Sequence, residues 1–108
     1  MKRTSILPLP VRKALRKLGS DIKEARIRRR LTMGLVAERA GITAVSLSRV
    51  ERGDGAVSIA IYGKVLFVLG LTDNLYNLAD TANDTLGQVL ASEQLPKRVR
   101  YKKRATNG

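Results

Sequence analysis

The sequence predicts an all-α fold: a compact domain of five to six helices with basic N- and C-terminal extensions. Apolar residues recur at helical spacing, and residues that typically begin or end helices lie between these stretches. No stretch shows the sustained alternation of apolar and polar residues that is typical of β-strands. A length of 108 residues favours one domain. Apolar residues make up 44% of the chain and aromatic residues 4%, so we expect a small, tightly packed aliphatic core.

Two helices are predicted at the N-terminal end. Pro10 suits a first helical position, and an apolar stripe then recurs at helical spacing until Gly19 stops it. The stripe consists of Val11, Leu15 and Leu18. Ser20 is placed to cap a second helix that ends in three arginines at 28–30, as the helix dipole prefers.

Hydroxyl side chains and glycines delimit the next two helices. Thr32 is predicted to cap a helix at 33–40, and Gly41 to end it in a left-handed conformation. Thr43 opens the following helix, which Gly53 closes. These two helices are short and closely spaced.

The nearly uncharged run at 55–72 is long enough for a membrane span to be weighed. Lys64 at its centre disfavours insertion, so we expect a core helix capped by Ser58 and no membrane association. Its apolar residues form two stripes, and one small core would not use both. The stripes are Ile61, Val65 and Val68 on one side, and Ile59, Tyr62, Leu66 and Leu69 on the other, with Phe67 between them. A second copy of the chain is expected to cover the surplus in a homodimer; the alternative is that the terminal helices at 11–18 and 86–95 cover it.

Two more helices are predicted towards the C-terminus. One lies near 75–79, and Asp84 or Thr85 caps the last one, which extends to Pro96.

The formal net charge of +12 is concentrated at the two ends of the chain. Residues 1–30 carry 11 basic and 2 acidic side chains, residues 31–96 carry 4 and 7, and residues 97–108 carry 6 and none. Such an imbalance points to a polyanionic partner.

The composition argues against most enzyme classes. The chain has no cysteine and no histidine, which removes Cys/His zinc sites, thiolate nucleophiles and imidazole catalysis. The aspartates at 73, 80 and 84 are interpreted as helix caps. We expect no enzymatic activity, no metal and no cofactor.

The two short helices around Gly41 have the spacing of a helix-turn-helix motif. The positions expected to face inward are all apolar, and Ala37 is small enough for the helices to cross closely. They are Val36, Ala37, Ala40, Ile42, Leu47 and Val50. The spacing resembles the phage-repressor (Cro/CI, or XRE) family, and residues 46–53 resemble its recognition helix and exit. Arg26 and Glu51 match a pair that forms a salt bridge in that family.

The resemblance implies that the second helix of the motif enters the DNA major groove. The base-reading side chains would be Ala44, Val45, Ser48 and Arg49. Arg49 has the reach and fork geometry for guanine O6 and N7, so it should dominate direct readout. The candidates for phosphate contacts are Thr32, Arg39, Thr43, Arg52 and Lys64. Met33 departs from the family, which usually carries a phosphate-binding glutamine there.

The C-terminal third resembles the tail of the HipB-type antitoxins, on the residues Asp84-Thr85-Leu86-Gly87 and the run at 93–100. This implies a HipA-like serine/threonine kinase toxin as partner, with or without a third small protein. Spare apolar residues would dock it, namely Leu86, Val89 and Leu90. The predicted organisation is a basic extension with a short helix at 1–19, a helix-turn-helix DNA-binding domain at 20–80, a C-terminal helix at 81–96 and a basic tail at 97–108.

The predicted function is a cytoplasmic, nucleoid-associated repressor that binds an inverted repeat in double-stranded operator DNA and acts as an antitoxin. One alternative is a phage or mobile-element regulator without a toxin partner. Another is a basic RNA-binding protein, which would normally bring more stacking aromatic residues than three tyrosines and one phenylalanine.

Overall fold

The computed structural model describes the backbone of residues 6–98 and the side chains of residues 6–93. This part contains six α-helices and one 3-10 helix and has no strand, which confirms the all-α prediction. The helices are α1 Leu9–Arg28, α2 Met33–Ala40, α3 Ala44–Glu51, α4 Ile59–Val68, α5 Thr72–Tyr76 and α6 Thr85–Arg98, with the 3-10 helix at Thr81–Asn83 between α5 and α6. The chain divides into two compact units, one up to Leu75 and one from Tyr76 onward.

One continuous helix occupies the N-terminal region, so the prediction of two helices separated at Gly19 is wrong. Helix α1 has 20 residues and passes through Gly19 and Ser20 without interruption. Gly19 is a glycine because α3 approaches it closely. A Cβ there would lie 2.5 Å from the Gly53 nitrogen and 2.6 Å from the Val50 carbonyl oxygen. The glycine marks a helix crossing, and Ser20 caps nothing.

Hydroxyl side chains begin the three helices that follow, as predicted. The side-chain oxygens of Thr32, Thr43 and Ser58 accept the backbone N–H groups three residues further on, at 3.1, 3.0 and 3.2 Å. Each of these bonds satisfies a donor that the first helical turn leaves unpaired. The starts of α2, α3 and α4 are therefore determined by their local sequence.

A left-handed residue ends each of the helices α1 to α4. The residues are Arg30, Gly41, Gly53 and Gly70, with φ of 56°, 68°, 73° and 76°. In every case the next backbone N–H reaches the carbonyl five residues back, as in the 3.0 Å bond from Ile42 to Ala37. This is the Schellman arrangement, and glycine adopts it without the steric cost that a side chain adds. Gly41 and Gly53 therefore act as predicted.

The core of the first unit lies among α1, α2, α3 and α4. Its fully buried side chains are Ile22, Val36, Leu47, Val50 and Val65. Tyr62 and Leu66 of α4 are buried as well, and so is Leu69 just after it, so most of the stripe assigned to a partner is already covered within the chain. Of the large apolar side chains of that helix, only Ile59 and Phe67 remain exposed, at 63% and 73%. The prediction that Tyr62, Leu66 and Leu69 belong to a surplus stripe, which a partner would have to cover, is therefore wrong.

The second unit consists of the 3-10 helix and α6, after α5 has ended at Tyr76. Helix α5 begins three residues earlier than predicted, with Asp73 in its first turn. Asp84 caps α6 by accepting the Gly87 N–H at 3.0 Å, and the helix continues past Pro96. The basic tail predicted at 97–108 lies outside the described side chains. Among the described helices, none is both long and apolar enough to cross a membrane.

Candidate nucleic-acid interface

Helices α2 and α3 are joined by a tight turn that buries the inward face of both. Val36, Ala37 and Ala40 of α2 are buried, as are Leu47 and Val50 of α3. Ile42, just after Gly41, is half-buried against the same cluster. Every predicted inward position of the motif is therefore in the core or packed against it.

The opposite face of α3 is open to solvent. At 100° per residue, Val45, Ser48, Arg49 and Arg52 fall within one sector that points away from Leu47. Val45 is 69% exposed, Ala44 is exposed on the flank, and Ser48 is half-buried. The four predicted base-reading residues thus lie together on one outward surface, which we call the α3 face and define as residues 44, 45, 48 and 49.

Two arginines at the end of α3 are held by contacts within the chain. The Nε of Arg49 donates to Oδ2 of Asp54 at 3.1 Å, and the Arg49 side chain is 48% exposed. Nη1 of Arg52 donates to the Ser48 hydroxyl at 2.6 Å. Both guanidinium groups therefore lie along the last turn of α3 and are hydrogen-bonded within the chain.

The predicted phosphate-contact residues occupy three different settings. Thr32 and Thr43 use their hydroxyl oxygens as helix caps, so their positions would offer an anion the N-terminal N–H groups of α2 and α3. Arg39 is exposed in the last turn of α2. Lys64 is exposed on α4, about 200° around the helix from Tyr62 and so turned away from the core.

Arg26 and Glu51, the pair that the family resemblance singled out, form a buried salt bridge. Arg26 Nε lies 2.7 Å from Glu51 Oε2, and its Nη2 lies 3.2 Å from Oε1. Only 10% and 6% of the two side chains are exposed. Arg26 Nη1 also donates to the Leu31 carbonyl at 3.0 Å. One guanidinium therefore joins α1, the turn before α2 and the end of α3, and so sets the position of the α3 face.

Asp54 is the residue of this surface that sequence reasoning missed. Its Oδ1 accepts the Ala56 N–H at 2.8 Å while Oδ2 binds Arg49. The Ala56 N–H, and then the Arg49 guanidinium, hold the pKa of this carboxyl below its usual value. Asp54-Gly55 was available as a turn signal in the sequence, but a turn signal does not say which side chain the aspartate meets.

A basic groove adjoins the exit of α3. Its volume is about 250 Å³, and it separates the first turns of α1 from the turn after α3. Three arginines line it, Arg12 and Arg16 of α1 and Arg52 just after α3, against one acidic residue, Asp54. The positive charge near the α3 face is therefore supplied by α1 as well as by α3.

In a comparison with known protein families, residues 17–79 match the model described as a helix-turn-helix domain. Neither the curated proteins nor the solved structures that were searched gave a match. The matched segment spans more than half of the chain and contains the whole α2–α3 motif, its buried face and its outward α3 face. The chain therefore belongs to the helix-turn-helix domain family, of the XRE/Cro-like kind, and is a DNA-binding transcriptional regulator.

Proposed function

We propose that the protein is a sequence-specific repressor that reads operator DNA with the α3 face and serves as the antitoxin of a HipA-like kinase operon. The observation that carries the DNA-reading part is the division of α3 into two faces. Leu47 and Val50 anchor the helix in the core, and the opposite face is left to contact base edges. A cytoplasmic, nucleoid-associated location follows from that role.

Within the α3 face, Arg49 is proposed to supply most of the sequence discrimination. Its guanidinium is long enough for a bidentate contact with guanine, whereas Ala44 and Val45 offer only apolar contact to thymine methyl groups. Ser48 adds a hydroxyl, which already accepts a bond from Arg52. Arg39, Arg52 and the helix starts at Thr32 and Thr43 are proposed to bind phosphates and fix the register.

A homodimer on an inverted repeat is proposed because a two-fold protein reads a two-fold site. Ile59 and Phe67, both exposed on α4, support it, since burying them in a symmetric interface would remove large apolar side chains from water. Light scattering on the chain with and without operator DNA tests this. A chain that stays monomeric on the DNA would contradict the dimer and leave the assignment to the DNA-binding family intact.

The antitoxin role is supported by the tail resemblance and by apolar side chains on α6. Leu86, Val89 and Leu90 are exposed, at 69%, 47% and 46%. Spare apolar residues on a helix are suited to dock a protein partner. In this proposal the kinase toxin binds α6 while DNA binds the α3 face, so the chain holds both at once.

The DNA-reading proposal is tested with two arginine variants. Arg49→Ala should weaken binding to the operator by about 1–3 kcal/mol and hardly change binding to random DNA, because a base contact carries sequence information. Arg39→Ala should weaken binding to both DNAs equally. It should also reduce the slope of log affinity against log salt concentration by the amount that corresponds to one phosphate contact. Equal losses on both DNAs for Arg49→Ala would make Arg49 a phosphate contact instead.

The antitoxin proposal is tested by purifying the chain from cells that express its native operon. A kinase-like protein should co-purify with the wild-type chain and be lost with Leu86→Asp or Leu90→Asp, while operator binding survives. A chain that binds its operator and retains no such protein supports a phage or mobile-element regulator. Loss of DNA binding in the aspartate variants would place those leucines in the core or the dimer interface.

A further inference from the structure

Asp54 lies just after the exit of α3, where the backbone turns back towards the helix. Gly53, in the left-handed conformation, makes the turn, and its N–H donates to the Val50 carbonyl at 2.9 Å. The Asp54 N–H donates to the carbonyl of Arg49 at 3.0 Å. The backbone of Asp54 is therefore tied to the backbone of the residue whose side chain it also contacts.

Hydrogen bonds hold both the carboxylate and the backbone carbonyl of Asp54. The Ala56 N–H binds one oxygen at 2.8 Å, and the Tyr62 hydroxyl donates to the Asp54 carbonyl at 2.9 Å. Tyr62 is buried, with 5% of its surface exposed, so the turn is anchored in the core through α4. The second carboxylate oxygen, which binds Arg49 Nε at 3.1 Å, therefore lies on a turn that is hydrogen-bonded to the core.

We propose that Asp54 is the positioning residue that makes Arg49 a reader of a single guanine. This inference rests on the proposed role of Arg49 in base reading. A guanidinium can meet guanine through Nε and one Nη, or through both Nη groups. Because Asp54 occupies Nε, it leaves the Nη1 and Nη2 hydrogens for O6 and N7.

Two physical effects make this arrangement useful. An unsupported arginine side chain loses considerable rotamer freedom when a base immobilises it, and Asp54 imposes much of that order beforehand. The negative charge of Asp54 also offsets one positive charge close to the DNA, which lowers the affinity for any sequence. The first effect raises the ratio of specific to non-specific binding, and the second lowers both affinities alike.

The test compares Asp54→Asn with Asp21→Asn. Asparagine keeps an oxygen that can accept the Ala56 N–H, but it cannot provide the charged acceptor for Arg49. Asp21 pairs with Lys17 on the exposed surface of α1, so its variant makes the same change in net charge away from α3. The probes are a duplex that the wild-type chain selects from a random library and a random-sequence duplex of equal length.

Asp54→Asn should lower the ratio of specific to random affinity by about threefold to tenfold, and Asp21→Asn should leave it unchanged. In the Arg49→Ala background, Asp54→Asn should have no further effect on the ratio. A 7-deazaguanine scan of the selected duplex adds a readout that general loosening would not move. At one guanine, replacement by 7-deazaguanine should weaken binding of the wild-type chain. The same replacement should weaken binding of Asp54→Asn less.

Each other outcome overturns the proposal in a recognisable way. A higher ratio of specific to random affinity in Asp54→Asn would mean that Asp54 restrains Arg49 instead of presenting it. An unchanged ratio and scan would reduce Asp54 to a structural turn residue, while the base-reading role of Arg49 would stand if Arg49→Ala still loses discrimination. If Arg49→Ala keeps full discrimination, both assignments fail together. Asp54→Ser, which keeps a short acceptor for Ala56, replaces Asp54→Asn if the latter does not fold.

Discussion

The two units of this chain differ sharply in how much each one buries. The first unit, up to Leu75, contains all the buried side chains among the described residues and a buried ion pair. In the second unit, every residue at 76–93 is exposed except Gly87, which is half-buried. The second unit has a capped helix with a run of exposed apolar side chains, whereas the first has caps and a core.

This difference teaches where each unit obtains its order. Most helical stability in proteins comes from packing an apolar face, and short helices are marginal without it. Helices α2 and α3, with eight residues each, persist because α1 and α4 cover them. Helix α6 depends on its cap, its propensity and whatever covers Leu86 and its neighbours. The first unit should behave as a cooperative domain and the second as a segment that a partner completes.

The largest expected effect comes from breaking the buried ion pair of the first unit. Glu51→Gln leaves the Arg26 charge buried without its carboxylate and should lower the free energy of unfolding by about 3–5 kcal/mol. The matched control is Glu24→Gln, which breaks an exposed arginine–glutamate pair with an N–O distance of 2.9 Å on α1 and should cost only about 0.3–0.5 kcal/mol. Urea denaturation measures both. Similar small losses would show that the first unit does not depend on its buried pair.

A pair of glycines sharpens the contrast between close packing and open surface. Gly19→Ala would push a Cβ into backbone atoms of α3 and should destabilise the protein by about 1–3 kcal/mol or more. Gly34→Ala, in α2, meets nothing within 4 Å and should stabilise it by about 0.5 kcal/mol through helix propensity. The midpoint of thermal unfolding measures both effects, and it should fall for Gly19→Ala and rise for Gly34→Ala. A neutral Gly19→Ala would mean that α1 and α3 separate easily.

The features that the sequence predicted well are the local ones. The caps at Thr32, Thr43 and Ser58 and the stop at Gly41 depend on a few adjacent residues, so their chemistry is visible in the sequence. The apolar positions of the α2–α3 motif were also predictable, because their spacing reflects the periodicity of the two helices. Most of the α3 face follows from the same periodicity.

The features that were missed depend on neighbours distant in sequence. A glycine such as Gly19 signals either a helix end or a close approach, and the approach of Val50 and Gly53 decides between them. The surplus on α4 was overestimated because the burial of Tyr62 and Leu66 depends on how α4 packs in the core. The Asp54–Arg49 contact requires the path of the turn, which no spacing rule contains.

Removing one N-cap from a helix in each unit tests directly whether the two units differ in cooperativity. Thr43→Ala and Asp84→Ala each remove an N-cap and should each cost about 1 kcal/mol locally. In the first unit the loss should appear as a lower midpoint of the single cooperative transition. In the second it should appear as less helix by circular dichroism and faster amide exchange at 85–93, with the cooperative midpoint unchanged. A shift of that midpoint by Asp84→Ala would show that the two units unfold together.

The smallest expected effect is a dependence on acid that belongs to the first unit through Asp54. Because the folded structure lowers the pKa of this carboxyl below its ordinary value of 3.8, the ionised form stabilises the fold. That contribution is present above the unfolded pKa and is lost as the pH falls through the lower, folded pKa. Solvent screens the partly exposed contact with Arg49, so the loss should be only roughly a few tenths of a kcal/mol.

The free energy of unfolding, measured from pH 5 down to pH 3, should therefore decline slightly less steeply for Asp54→Asn than for the wild-type chain. Asp21→Asn, which removes an exposed carboxylate from α1, provides the matched change in charge. An equally steep decline in Asp54→Asn would mean that the turn after α3 adds no charge-dependent stability and that its order comes from Tyr62 and the backbone bonds alone.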